Sequence, residues 1–259
     1  MTTVAISLKM YFGHERSRTY CAALAALASR HPDVVSGATE LVVLPTFVAI
    51  PAARSAAGST RLQVGAQDLA AEDAGAFTGE VSGAELAEIG VTHVEVGHAE
   101  RRRLFGETDE VVAAKTAAAL RNSLVPLLCV GETSRVAPGE AAQAVVDQVA
   151  SAIPDGTGKR VLVAYEPVWA IGAAEPAPPA YIAGVCDAVR AALGERLGDF
   201  GIVYGGSAGP GLVNALGNSV DGLFLGRFAH DVTAVETVLD ELSGRASTSG
   251  GGHVDDGQP

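Results

Sequence analysis

The chain has 259 residues, 48% of them hydrophobic, and a formal net charge of −12, which gives enough apolar material for one large core or two smaller ones. A negative balance of that size repels nucleic acid and anionic membrane surfaces at long range, and no run of about 18 apolar residues marks a membrane span, so neither is expected as a partner. Three distant cysteines without C-x-x-C spacing and six histidines without an H-x-x-x-H pair point to neither a disulfide framework nor a metal site.

From the N-terminus, MTTVAISLKMYFG reaches Lys9 before a secretory core could form, and a cytoplasmic protein is the expectation. One theme then repeats along the chain: a short β-branched run, a loop, and an Ala-rich segment with helical spacing. Strands are predicted at 3–8, 40–44, 62–65, 93–96, 124–130, 160–165, 201–204 and 222–225. A helical stretch is predicted after each of them, for instance at 16–29, 84–89, 110–121, 140–152, 179–193 and 232–242. Eight strand-then-helix units in a chain of this length fit an α/β fold with a closed parallel (β/α)8 barrel better than an open doubly wound sheet. The end, STSGGGHVDDGQP, lacks apolar periodicity, so a barrel domain over 1–243 and a flexible tail over 244–259 are expected.

Such barrels carry their chemistry on the loops after the strands. Lys9 follows the first strand there, and His98, Glu100 and Arg101 follow the fourth. Glu166 follows the sixth, Gly205, Gly206 and Ser207 the seventh, and Gly226 the eighth. Singly each has an ordinary reading: a surface lysine, a capping histidine, a solvated arginine run, a glycine turn. Jointly they place a carboxylate, an imidazole, an ammonium and glycine loops on one face.

The stretches LKM, GAQ, GAFTGEVS, GHAERR, CVGET, AYEPVWAIG, YGGS and VDGLFLG, in this order and spacing, resemble the triosephosphate isomerase family over nearly the whole chain. The resemblance implies a TIM (β/α)8 barrel acting on a small phosphorylated sugar. It implies Glu166 as the base, His98 as a neutral electrophile and Lys9 as a positive charge on the developing oxyanion, roles for which this family is a standing example. Glu100 is expected one layer out, pairing with Lys9 or an arginine. Backbone N–H groups near Gly172, Gly205, Gly206, Ser207 and Gly226 would hold the phosphate. The stretch 167–178 resembles a lid that keeps water from a reactive enediolate. GAFTGEVS, from Gly75 to Ser82, resembles the loop through which subunits of the family form a homodimer, with Thr78 reaching a neighbour's Lys9 and His98. No cofactor is needed, because the electrons stay inside the substrate.

Four places depart from the family pattern. Ser7 stands where the family has asparagine, and Ala99 follows the histidine in place of serine. Ala173 and Ala174 replace threonine and glycine after WAIG, and Arg227 replaces the second glycine after the eighth strand. Serine is shorter than asparagine and opens space beside the reacting carbons, and alanine stiffens the lid. Arg227 either brings a cation to the phosphate site or turns outward while its N–H still donates, at a cost of roughly 1 to 2 kcal/mol if that position needs a left-handed backbone. The favoured reading is an enediol isomerase of a four-carbon ketose phosphate, erythrulose 1-phosphate to erythrulose 4-phosphate. A true triosephosphate isomerase is the alternative, and a phosphate-binding barrel without catalysis is a third reading.

Overall fold

Side chains in a strand alternate between two faces, and the eight β-branched runs use that alternation to build a wall apolar on both sides. In a computed structural model, which describes residues 1–153 and 158–249, the runs become β1 (Thr2–Ser7), β2 (Thr39–Leu44), β3 (Gln63–Ala66), β4 (His93–Val96), β5 (Val125–Val130), β6 (Val161–Tyr165), β7 (Phe200–Tyr204) and β8 (Gly222–Leu225). Each strand pairs in parallel with the next and β8 returns to β1, closing the barrel. Thr3 lies opposite Gly222 on one side and Ser7 opposite Leu44 on the other.

Outward-facing Val4, Ile6, Leu41 and Val43 join the core beneath the helices. Inward-facing Ala5, Val42, Leu127, Leu162 and Phe224 fill the barrel. At the N-terminal end of the strands the filling turns polar. Arg160 donates to Glu40 at 2.9 Å and to Thr3 at 3.3 Å, and His93 Nε2 lies 3.4 Å from Glu40.

The helices are α1 (His14–Arg30), α2 (Pro32–Ser36), α3 (Ile50–Ala57), α4 (Gly83–Glu88), α5 (Ala99–Phe105), α6 (Asp109–Arg121), α7 (Pro138–Ala152), α8 (Pro179–Leu197), α9 (Leu212–Leu216) and α10 (Val232–Ser249). Their starts follow local chemistry. Ser82 and Thr108 accept hydrogen bonds from N–H groups in the first turns of α4 and α6, and proline opens α3, α7 and α8, where no N–H is needed.

Three expectations are corrected. α10 continues to Ser249, so the tail expected from 244 is helical over its first residues, and 250–259 lie outside the described residues. β1 stops at Ser7 rather than residue 8, because Lys9 turns the chain with φ +45°. The arginine run belongs to α5, and two of its members make ion pairs: Arg101 bonds Asp68 and Glu107, and Arg102 bonds Asp109. Among the described residues no helix is long and apolar enough to cross a membrane.

Candidate active site

The ends of β1, β4 and β6 bring three side chains to one point. Lys9 holds a left-handed backbone, which costs a non-glycine residue roughly 1 to 2 kcal/mol. The side-chain amide of Gln67 secures it, donating to the carbonyls of Lys9 (3.1 Å) and Leu44 (2.9 Å). From there Lys9 Nζ reaches Glu100 Oε1 and His98 Nε2, each at 3.0 Å. Glu100 therefore pairs with Lys9, one of the two partners anticipated for it.

His98 is buried and caps α5, where its Nδ1 accepts the backbone N–H of Glu100 at 3.2 Å. An accepting Nδ1 carries no proton, so the imidazole is neutral with its hydrogen on Nε2, and the 3.0 Å approach of Lys9 Nζ to that nitrogen sets two donors side by side rather than making a hydrogen bond between them. That N–H and the Lys9 ammonium are both donors, and they converge on the same space. Across it stands Glu166, 5% exposed, with Oε2 3.5 Å from His98 Nε2. This oxygen has no hydrogen-bond partner among the described residues, an arrangement a native fold rarely leaves without a use.

Two glycines make room for Glu166. A Cβ on Gly131 would run into the Glu166 carbonyl, and one on Gly205 would lie 2.6 Å from Glu166 Cγ and 2.7 Å from Oε1. Pro167 follows and restricts Glu166 to extended backbone, and the Glu166 N–H donates to Val130 O at 2.8 Å.

The charges around this point are lopsided. Burial works against the Lys9 ammonium, yet the carboxylates of Glu166, Glu95 and Glu100 outweigh it and hold its pKa above the ordinary lysine value. Burial pushes the Cys129 thiol far up, with Glu166 and Glu95 adding to the effect. A lone positive charge among carboxylates, beside a neutral imidazole donor, can stabilise an oxyanion while a carboxylate moves a proton.

The rim belongs to the lid and to the loops after β7 and β8. Gly172 takes φ +74°. Ser207 donates to the carbonyls of Ala170 and Ala173, both at 3.0 Å, and the Ala177 N–H donates to the Tyr204 hydroxyl at 3.3 Å, so the lid rests on the β7 loop. At its near stem, Glu132 accepts from Trp169 Nε1 (2.7 Å) and from the hydroxyls of Tyr181 (2.9 Å) and Tyr165 (3.2 Å). A cavity of about 410 Å³ opens under the lid, bounded by Ser7, Lys9, Glu166, Gly172, Ser207 and Arg227 among others. Gly205 and Gly226 also line it; Gly206 instead sits against the Tyr204 hydroxyl. Arg227 is exposed, faces the cavity and has no positive φ, so the strain that a left-handed backbone would impose there is absent.

Sequence reasoning passed over Gln67, Glu132 and Glu95. For Gln67 and Glu132 no local signal marks their partners, which lie far away in the chain. Glu95 was findable: in HVEV the alternation turns His93 and Glu95 to the same inward face, where a carboxyl is out of place in an apolar barrel.

Comparison with known proteins agrees with this geometry. The family model described as triosephosphate isomerase matches residues 2–242. The L-erythrulose-1-phosphate isomerase of Pectobacterium atrosepticum is 50% identical over 246 residues, covering 92% of this chain and 95% of that one. The triosephosphate isomerase of Moorella thermoacetica is 40% identical, with 81% and 88% covered. The crystal structure of triosephosphate isomerase from Bartonella henselae superposes with a TM-score of 0.79 at 29% identity, covering 93% of this chain and 99% of that one. The chain belongs to the triosephosphate isomerase family and is a sugar-phosphate isomerase of that type.

Proposed function

We propose that this protein moves a carbonyl between neighbouring carbons of a four-carbon ketose phosphate, converting erythrulose 1-phosphate to erythrulose 4-phosphate through an enediolate. Glu166 takes the proton from the hydroxyl-bearing carbon C3. The electron pair moves onto the C2 carbonyl oxygen, where the His98 Nε2–H and the Lys9 ammonium receive the charge. Glu166 then returns a proton to C2, while the hydroxyl hydrogen on the C3 oxygen passes to the C2 oxygen and the C3 oxygen becomes the carbonyl. Atoms and electrons balance within the substrate, so no cofactor takes part. The backbone N–H groups around Gly172, Gly205, Gly206, Ser207 and Gly226 hold the phosphate, Arg227 adds positive charge at the rim, and the resting lid excludes water.

The observation that carries the reaction class is the convergence of two donors, Lys9 Nζ and His98 Nε2, opposite the unengaged oxygen of Glu166. Chain length of the substrate is carried by Ser7, whose short side chain forms part of the cavity wall, in keeping with the 50% identical relative that is named for the four-carbon reaction. The same machinery would also interconvert dihydroxyacetone phosphate and glyceraldehyde 3-phosphate, which is the second reading. A barrel that only binds phosphate has no use for an unpaired buried carboxylate beside the cation, and this reading recedes.

The protein acts as a homodimer in this proposal. The loop from Gly75 to Ser82 protrudes, Phe77 on it is 44% exposed, and Met10, next to Lys9, is 91% exposed. Covering these apolar side chains with a second copy would set Thr78 beside its Lys9 and His98. A cytoplasmic location accompanies this reading.

The test is the ratio of kcat/KM for erythrulose 1-phosphate to that for dihydroxyacetone phosphate, measured on the wild type and on Ser7→Asn. A ratio above one that falls about tenfold in the variant supports the four-carbon reading. A wild-type ratio well below one assigns the triose instead.

A further inference from the structure

One carboxyl near the reacting centre has no part in that chemistry. Glu95 projects inward from β4, 3% exposed, and its Oε2 accepts a hydrogen bond from Ser7 Oγ at 2.9 Å, across the barrel from β1. Its other oxygen lies 3.9 Å from His98 Nε2, beyond hydrogen-bond distance. Away from the reacting centre, other buried or half-buried carboxylates have better partners. Glu40 holds Arg160, Asp68 and Glu107 share Lys115, and Glu132 takes an indole N–H and two hydroxyls. For Glu95 the bonded partner is a serine hydroxyl, and no ion pair joins it to a lysine or arginine among the described residues. A carboxyl this deeply buried and this thinly paired is a burden to the fold.

Its position suggests the return. Ser7 lies two residues before Lys9 and Glu95 three before His98, one layer deeper in the barrel. The glycine-rich loops and Arg227 lie at the rim. A substrate with its phosphate at the rim and its reacting carbons beside Lys9, His98 and Glu166 sends any further carbon toward this floor. Ser7, which lines the cavity, spends its hydrogen on Glu95 and keeps its oxygen as an acceptor.

We propose that Ser7 and Glu95 form a subsite for the terminal hydroxymethyl group of a four-carbon substrate, with Ser7 meeting the substrate hydroxyl and Glu95 fixing Ser7 in place. This rests on the four-carbon reading above and names the residues that would enforce it. Burial, reinforced by the Glu166 charge, pushes the Glu95 carboxyl above the usual range. The charged and titratable groups that bear on Glu95 are His98, Glu166, Lys9 and the Cys129 thiol. Glu95 is a positioning residue, since it acts through Ser7.

The experiment compares binding of two unreactive ligands that differ by one hydroxymethyl group, glycerol 3-phosphate and erythritol 4-phosphate, by calorimetric titration of wild type, Glu95→Leu and Glu95→Gln. The expected result is that Glu95→Leu lowers the preference for the four-carbon ligand at least about tenfold, while Glu95→Gln, which can still accept from Ser7, restores most of it. If Glu95→Leu does not fold, Ser7→Ala removes the same bond and must produce the same loss of preference. The inference is overturned if both dissociation constants shift by the same factor, or if neither shifts. A wild type that turns over only the triose defeats the four-carbon reading, whereas the ligand preference judges Glu95 without any turnover.

Discussion

The two ends of the barrel handle charge in opposite ways. At the N-terminal end Glu40 sits between Arg160 and His93; burial works upward on its carboxyl, but these partners outweigh it and bring the pKa down to about 2. At the C-terminal mouth Glu95 is pushed up, Lys9 is crowded by carboxylates, and Glu166 keeps one oxygen free of hydrogen bonds. The first end uses charge to hold the strands, as the N-terminal face of such barrels does. The second leaves its polar groups incompletely matched to one another, and a substrate completes them. Backbone strain does not follow this division: Lys9 and Ser207 at the mouth have positive φ, and so does Ser123, just before β5 at the other end.

This contrast can be broken from either side. The largest effect is expected at the mouth from Glu166→Gln, which keeps the shape and removes the base; kcat should fall roughly a thousandfold, with the melting temperature unchanged or raised. A rise in KM at constant kcat would mean that Glu166 only binds. Gly205→Ala comes next. Its methyl group would lie 2.6 Å from Glu166 Cγ and 2.7 Å from Oε1, and the displaced carboxylate should cost about a hundredfold in kcat/KM, visible by steady-state kinetics with little change in the circular dichroism spectrum.

The smallest effect on turnover and a large one on stability are expected at the other end. Arg160→Ala leaves the half-buried Glu40 beside His93 without its guanidinium and should destabilise by about 2 to 3 kcal/mol in urea unfolding. The kcat/KM per folded molecule should stay within about twofold of wild type. The acid limb of stability sharpens the point. The folded pKa of Glu40 is depressed, so its contribution is present above about 4.5 and lost as pH falls toward about 2. By linkage this is on the order of 3 kcal/mol. Unfolding curves between those pH values should be steep in wild type and shallower in Arg160→Ala.

The barrel was legible because its signal is local: each β-branched run and the helical spacing after it can be read within a dozen residues. What escaped lies at other ranges. The helices expected after β2 and β7 could be given no bounds, because Pro51, which opens α3, reads as a breaker, and α9, like the unpredicted α2, is too short at five residues to show a period. Lys9, His98 and Glu166 were legible through their motifs. Ser7 was noticed as a departure, but its partner Glu95 is 88 residues away, and only closure of the barrel brings the two together. Arg101 read as solvated because a charge run carries no mark of the buried acids, Asp68 and Glu107, that fold over it.

The most direct measurement incubates the enzyme with erythrulose 1-phosphate in deuterated water and follows isotope incorporation at the reacting carbons by NMR. Proton transfer by Glu166 through an enediolate predicts deuterium at those carbons in wild type and a loss of roughly a thousandfold in the exchange rate in Glu166→Gln. Exchange at the wild-type rate in that variant would contradict the account, because the carboxylate at the centre of the site would then not be the group that moves the proton.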